Sequence, residues 1–325
     1  MEEIIQPVDR ELLRKELLKR YFLRPTNRAE NEIYDITGTD CPNLMREIAR
    51  LREISYRAGG GATGHSLDID DMDTMQKPYH QIIVWDPKNE QIVGGYRYLH
   101  LKDCIFTENG QPYITSAHLF HYTDYFIKDY LPHTIELGRA FVQPMYQTKE
   151  MGVKSIFALD NLWDGLGAVV AKNKDVKYLI GKVTIYPQFD AVSRNLIYAY
   201  FQRFCKDRKG LFAPYHPLDI SVEGQELADE IFTEGDAKEN FHILQRAVRT
   251  RGVAIPPMFQ AYMNLTDKIR FFGNCVNDEL SDVYETGIMV KIEDIYEEKK
   301  SRYIGAYFDY IRSVFSSRKR KKDKI

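Results

Sequence analysis

Glu136 and Arg139 lie inside TIELGRAFV, residues 134–142, a run whose alternating apolar character reads as a strand buried on at least one face. Charged side chains are seldom fully buried unless paired, so two of them here mark either a structural ion pair or the wall of a cleft. A carboxylate facing a cleft can take a proton as a general base. The arginine three residues on can orient it or hold a substrate carboxylate. Pro144 stops the strand, because proline donates nothing to a sheet ladder. The neighbouring backbone amides of Phe141, Val142 and Gln143 are candidates for holding a carbonyl oxygen. Residues 155–171 follow as a helix with Leu159, Leu162, Trp163, Leu166 and Val170 on one stripe, and Trp163 either lines the substrate pocket or packs in the core.

A second chemical cluster precedes it. Asp68, Asp70, Asp71 and Asp73 crowd their carboxylates together just after a stretch containing Gly59, Gly60, Gly61 and Gly64. Glycine-rich loops can wrap phosphate, but neither GxxxxGK[ST] nor GxGxxG occurs. The calcium-loop pattern with its terminal glutamate is missing as well. What remains is a solvated acidic loop or a site for an amine-bearing substrate, with Arg97 available to clamp one carboxylate by a two-pronged ion pair. Cys41, Cys104, Cys205 and Cys275 show no paired spacing, and the histidines show no metal-ligand spacing, so neither a disulfide frame nor a metal is expected.

The elements that must position these groups alternate between helix and strand. Asp9 caps a helix running to about Leu23; strands are expected at 32–37, 81–86, 91–99, 177–186 and 284–292. Helices are expected at 43–56, opened by Asn43, and at 193–206 and 240–250. Residues 102–129 are aromatic-rich and irregular, 207–239 read as loop with a little helix, and 252–276 carry strand-like apolar segments. The fold class is mixed α/β, divided into an N-terminal helical arm (1–31), one large domain (32–300) and a tail (301–325).

In the 325-residue chain, hydrophobic residues make up 44% and charged residues 28%, ordinary for a globular protein, and a net charge of −2 argues against wholesale nucleic-acid binding. No apolar run approaches the ~20 residues that span a bilayer. The acidic opening MEEIIQPVDRE lacks a secretory signal's apolar segment, so a cytoplasmic protein with reduced thiols is expected. In the tail, Ile304, Tyr307, Phe308, Ile311, Val314 and Phe315 recur at helical spacing before Arg318, Lys319, Arg320, Lys321, Lys322 and Lys324. That pattern suits peripheral binding to an anionic membrane, unless the stripe docks on the protein's own core. Lys172, Lys174, Lys177, Lys182 and Arg194 form either a solvated face or a dock for an acidic carrier protein.

Taken together, DIDDMD (68–73), GGYRYL (94–99) and IELGRAFV (135–142) resemble the acidic loop, strand arginine and E-x-x-R strand of acyl-homoserine-lactone synthases. The resemblance is closer to bacterial aminolipid N-acyltransferases that make lyso-ornithine or N-acylglycine lipids, often labelled hemolysins. It is carried by ELGR (136–139), LWDGL (162–166), GKVT (181–184) and IPPMFQAYMNL…FGNCVNDE (255–279). The resemblance implies the GNAT acyltransferase fold, a twisted mixed sheet flanked by helices. It implies transfer of a (3-hydroxy)fatty acyl group from acyl carrier protein to the amine of an amino acid of glycine or ornithine type, with no tightly bound cofactor. Glu136 would then be the base, assisted by Arg139, while Arg97, Asp68, Asp70 and Asp73 shape the pocket. The glycine-rich turn that wraps the pyrophosphate of coenzyme A is absent: YQTKEMGVKSI (146–156) has only Gly152. That favours a phosphopantetheine arm on a carrier protein, with a CoA thioester possible. An acetyl-CoA-dependent N-acetyltransferase is the alternative, and a non-enzymatic membrane-active protein is the rival from another class.

Overall fold

The computed structural model describes residues 1–322 apart from 234, and only the backbone of residues 317–322. The first half of the chain runs α1 (Arg10–Glu16), β1 (Phe22–Pro25), β2 (Glu32–Thr37), α2 (Pro42–Gly59), α3 (Asp71–Thr74), β3 (His80–Asp86) and β4 (Gln91–His100). Next come β5 (Phe120–Tyr122), α4 (Asp124–Asp129), β6 (Thr134–Val142), α5 (Val153–Lys172), β7 (Tyr178–Ile185), α6 (Ala191–Phe204) and β8 (Phe212–Pro214). The remainder is α7 (Val222–Ile231), α8 (Ala237–Thr250), α9 (Pro257–Met263), β9 (Arg270–Asn277), β10 (Val283–Lys291), α10 (Glu297–Lys300), a π turn (Ser301–Gly305) and α11 (Ala306–Lys322).

Eight strands form one sheet in the order β1-β2-β3-β4-β6-β7-β10-β9, and β5 and β8 make a separate ribbon. Every neighbouring pair in the sheet is antiparallel except β6 and β7, which run parallel. The 20-residue α5 is the crossover that a parallel pair demands. It packs Leu162, Leu166 and Val169 against Ile82, Val84 and Tyr96 on one sheet face. On the other face α2 buries Leu44, Ile48 and Leu51 against Ile83, Trp85 and Phe141. Each such aliphatic side chain contributes about 1.5–3 kcal/mol relative to exposure. The ribbon and α4 bring Phe120, Tyr122, Phe126 and Phe212 against that second face beside Tyr79 and Leu99. A polar gap is left between the two apolar clusters, and the site lies in it.

Several boundaries differ from the sequence expectation. The first helix stops at Glu16, not Leu23, and Phe22–Pro25 pair with β2 as an edge strand. Tertiary contact decides this: Leu23 and Arg24 are buried, and the Arg24 guanidinium sits 3.1 Å from Asp164 of α5. The next helix starts at Pro42, before Asn43. Glu16 caps it from outside, accepting from the backbone of Asn43 at 3.1 Å and of Leu44 at 2.8 Å. Residues 257–263 form helix α9, not strand, and the mixed stretch 207–239 contains the ten-residue α7.

The apolar stripe of the tail is divided between two roles. Tyr303 is buried against α5, where a Cβ on Gly167 would lie 2.4 Å from the Tyr303 backbone, and its hydroxyl donates to Asp160 at 2.7 Å. Ile304 and Tyr307 pack on the same core, whereas Phe308 and Phe315 are exposed. The side chains of the basic run 318–324 lie outside the described residues. Among the described residues, no helix is long and apolar enough to cross a membrane.

Candidate active site

β6 and β7 pair over four positions only, Thr134↔Tyr178, Ile135↔Leu179, Glu136↔Ile180 and Leu137↔Gly181. Beyond them β6 stays with β4 while β7 stays with β10, so a wedge opens between the two parallel strands. A bulge accompanies the parting: the β4–β6 register slips between Gly95 and Arg97, and Arg139 takes a positive φ of 51°. Strand amides point to alternate edges. The Gln143 N–H donates to Val93 at 3.0 Å, toward β4, and Phe141 lies in the same ladder opposite Gly95. Of the three amides expected to be open, two are therefore turned into the sheet. The alternation aims that of Val142 into the wedge.

In a regular strand, residues three apart lie on opposite faces. The bulge brings Arg139 back to the face of Arg97. There it does not meet Glu136 but lies 3.4 Å from Asp68 and 3.5 Å from Asp70, which corrects the expected Glu136–Arg139 pair. Arg97, fully buried, clamps Asp70 with both terminal nitrogens at 2.5 and 2.7 Å and reaches Asp73 at 3.1 Å. Arg52, from α2, holds Asp73 at 2.9 Å and Gln81 at 2.6 Å, and the Gln81 amide returns to Asp73 at 2.9 Å. Burial opposes ionisation of Asp70, but the hydrogen bonds and charge of Arg97, with Arg139 behind it, hold its carboxyl well below the usual carboxylate range. Three arginines against three aspartates leave this network formally neutral.

Glu136 is 1% exposed. One oxygen accepts from the Tyr79 hydroxyl and the Thr115 N–H (3.1 Å), the other from the Ser116 N–H (2.9 Å) and hydroxyl. A carboxylate has about four lone-pair directions, and all of these are occupied. Burial, and next the charge of Glu136, push the Tyr79 phenol well above its usual range, so it stays a proton donor. The Ser116 hydroxyl in turn touches that of Tyr122 at 2.6 Å.

Residues 51–154 match the acetyltransferase (GNAT) domain family. The chain is 48% identical over 309 residues to a glycine N(alpha)-acyltransferase of Bacteroides thetaiotaomicron, covering 95% of this chain and 91% of that one. It is 45% identical to a glycine N(alpha)-acyltransferase of Phocaeicola vulgatus, covering 94% of each. The chain belongs to this N-acyltransferase family. A solved CoA-dependent acyl-homoserine lactone synthase is similar at a TM-score of 0.35 and 12% identity, covering 84% of this chain and 95% of that one, too slight a likeness to argue from.

An N-acyltransferase brings an acyl donor and an amine together, and the wedge has the parts for both: an open amide on one wall and a buried carboxylate at its closed end. Not every residue singled out in the sequence reaches it. Trp163 sits on α5, on the opposite sheet face, edge-on to Tyr262 with ring centroids 5.4 Å apart, so it is core and not pocket. Lys172, Lys174 and Lys177 lie between the end of α5 and the start of β7, the closed end of the wedge, and Arg194 stacks on Tyr284 at 4.0 Å. Lys182 is not on that surface at all. It projects into the polar gap, 3.5 Å from the Thr115 carbonyl and 3.8 Å from Glu285. Burial lowers its pKa against the pull of Glu285 and Glu136. Lys182 could have been found by the reasoning that singled out Glu136, since it interrupts the apolar strand YLIGKVTI. Arg52, on the buried face of α2, left a similar signal. Tyr79, Ser116 and Gln81 left none.

Proposed function

We propose that this N-acyltransferase moves a long-chain, 3-hydroxyacyl-type group from acyl carrier protein to the amine of glycine. The observation that carries the reading is the wedge itself, with the Glu136 network at its closed end and the Val142 amide toward its mouth; the names of the two relatives support glycine as acceptor. Glycine attacks through its free amine, forming the C–N bond as the thioester C–S bond breaks. A backbone N–H that β6 turns into the wedge stabilises the oxygen that gains charge, while that of Val142, nearer the mouth, holds the donor's arm. The amine's proton passes toward Glu136 through the Tyr79 or Ser116 hydroxyl or a water and is then delivered to the departing thiolate, so that pantetheine leaves as the thiol and Glu136 is regenerated. Arg97, Asp70, Asp73 and Arg139 hold the acidic loop as one wall of the pocket.

The donor reading rests on the turn before α5. Only Gly152, at a φ of 53°, stands where a pyrophosphate-wrapping turn would need several glycines. Met145, Val153 and Ile156 are exposed beside it, an apolar surface suited to a carrier protein. Long-chain acyl carrier protein is expected to exceed acetyl-CoA by at least roughly tenfold in kcat/KM, about 1.4 kcal/mol. Equal rates with the two donors would sink the carrier-protein reading.

The product is a lipid, so we place the enzyme on the inner face of the cytoplasmic membrane, held by the exposed side of α11 and the basic run 318–324 at the end of the chain. About 1 kcal/mol per basic residue near anionic lipid makes the run the stronger of the two contacts. Deletion of residues 316–325 should abolish sedimentation with anionic liposomes at low salt and leave binding to neutral liposomes unchanged. Full-length and truncated chains sedimenting alike would rule out the tail as an anchor.

A further inference from the structure

Lys182 lies one residue past Gly181, the last position of β7 that β6 covers, and pairs on its other side with Gly287. Ile180 is opposite Glu136, so Lys182, two residues further along, projects on the face of Glu136 just where the wedge opens. Its side chain is 13% exposed, and its contacts to Thr115 (3.5 Å) and Glu285 (3.8 Å) are long. Glu285 is held by others, accepting from Thr184 at 2.9 Å and Asn277 at 3.3 Å. An ammonium carries three donors, and these two loose contacts leave capacity for an anion. Burial, and next the charge of Lys182, lower the pKa of the nearby His118, which lies 3.6 Å from Glu279. Across the wedge stands Gly138, where a Cβ would meet nothing nearer than Arg97 at 3.9 Å. A cation with unused donors thus stands next to the Glu136 network, opposite a glycine whose missing Cβ leaves room for about one carbon.

We propose that Lys182 binds the carboxylate of the amino-acid acceptor and that the gap over Gly138 admits its α-carbon. This rests on the acceptor being an amino acid. Anchored there, the acceptor directs its amine toward the Tyr79–Glu136–Ser116 end and away from the cation. Glu285 positions the lysine without neutralising it at contact distance.

The test compares glycine with glycine methyl ester, which keeps the amine and lacks the anion, using the full chain and one acyl donor. Lys182→Met should raise KM for glycine roughly 10- to 100-fold, the loss expected for one charged hydrogen bond, and leave KM for the donor unchanged. Activity on the ester should be the same in both proteins, and Lys182→Arg should recover part of the glycine KM. Parallel loss with glycine and ester, or an unchanged KM for glycine, overturns the proposal. If Lys182→Met does not fold, the wild type and Lys182→Arg decide. Equal use of ester and glycine by the wild type, or an unaltered glycine KM in the arginine variant, is then the overturning result. A wild type that acylates no amine at all would instead fail the functional reading on which this rests.

Discussion

Glu136→Gln is expected to abolish N-acylation while leaving most of the protein folded. Both Glu136 oxygens accept from two donors each, supplied by Tyr79, Thr115 and Ser116. Glutamine keeps one acceptor oxygen and turns an NH2 group toward donors that have nowhere else to go. One buried unsatisfied pair costs about 1–3 kcal/mol, and a domain stable by about 5–15 kcal/mol survives it. The kinetic loss is the larger effect. Removing a general base costs about 10²- to 10⁴-fold, and the displaced turn at Thr115–Ser116 would add misalignment to it. Turnover at saturating substrate, together with a circular-dichroism melt, separates the two contributions. A folded variant with near-normal turnover would remove Glu136 from the proton path.

Arg97→Ala should be the most damaging substitution for stability in the site. It leaves the fully buried Asp73 with only Arg52, and the partly exposed Asp70 with only the longer contact to Arg139 at 3.5 Å. Breaking a buried ion pair from one side costs about 3–5 kcal/mol, a large share of any domain's stability. The effect also carries a pH signature. The Asp70 carboxyl titrates below its unfolded value, so its contribution is fully present above the unfolded pKa and is lost as pH falls through the folded one. Without Arg97 that depression largely disappears and with it the acid-dependent loss, so the stability gap between wild type and variant should narrow as pH falls through the carboxylate range. Urea midpoints measured from neutrality down through the carboxylate range test both statements. A variant within about 1 kcal/mol of wild type at neutral pH would contradict the first.

How far the sequence revealed this arrangement depended on the range of the interaction. The strand at 134–142 and the long helix after it were legible because periodicity is local. The two-pronged clamp of Arg97 on Asp70 was expected from charge type alone. Arg24 and Leu23 misled because a short apolar–basic segment fits helix or edge strand equally, and only burial against α5 chooses between them. Arg139 was assigned to Glu136 by their spacing. A bulge that no residue type announces, since an arginine and not a glycine takes the positive φ, redirected it to the aspartates. Lys182 was misplaced among surface lysines because its neighbours in sequence are not its neighbours in space.

The four-position seam joining β6 to β7 works as a hinge pin for the whole cleft. The angle between the walls is set at this seam, so a small displacement there is magnified at the mouth, as at the tips of a pair of tongs. Gly181 occupies the last rung, and any side chain there would begin 2.9 Å from the Leu137 carbonyl. Bulk at that rung would spread the jaws from between Leu137 and Gly181. The spacing of the two walls is therefore set at the closed end of the wedge, away from its mouth.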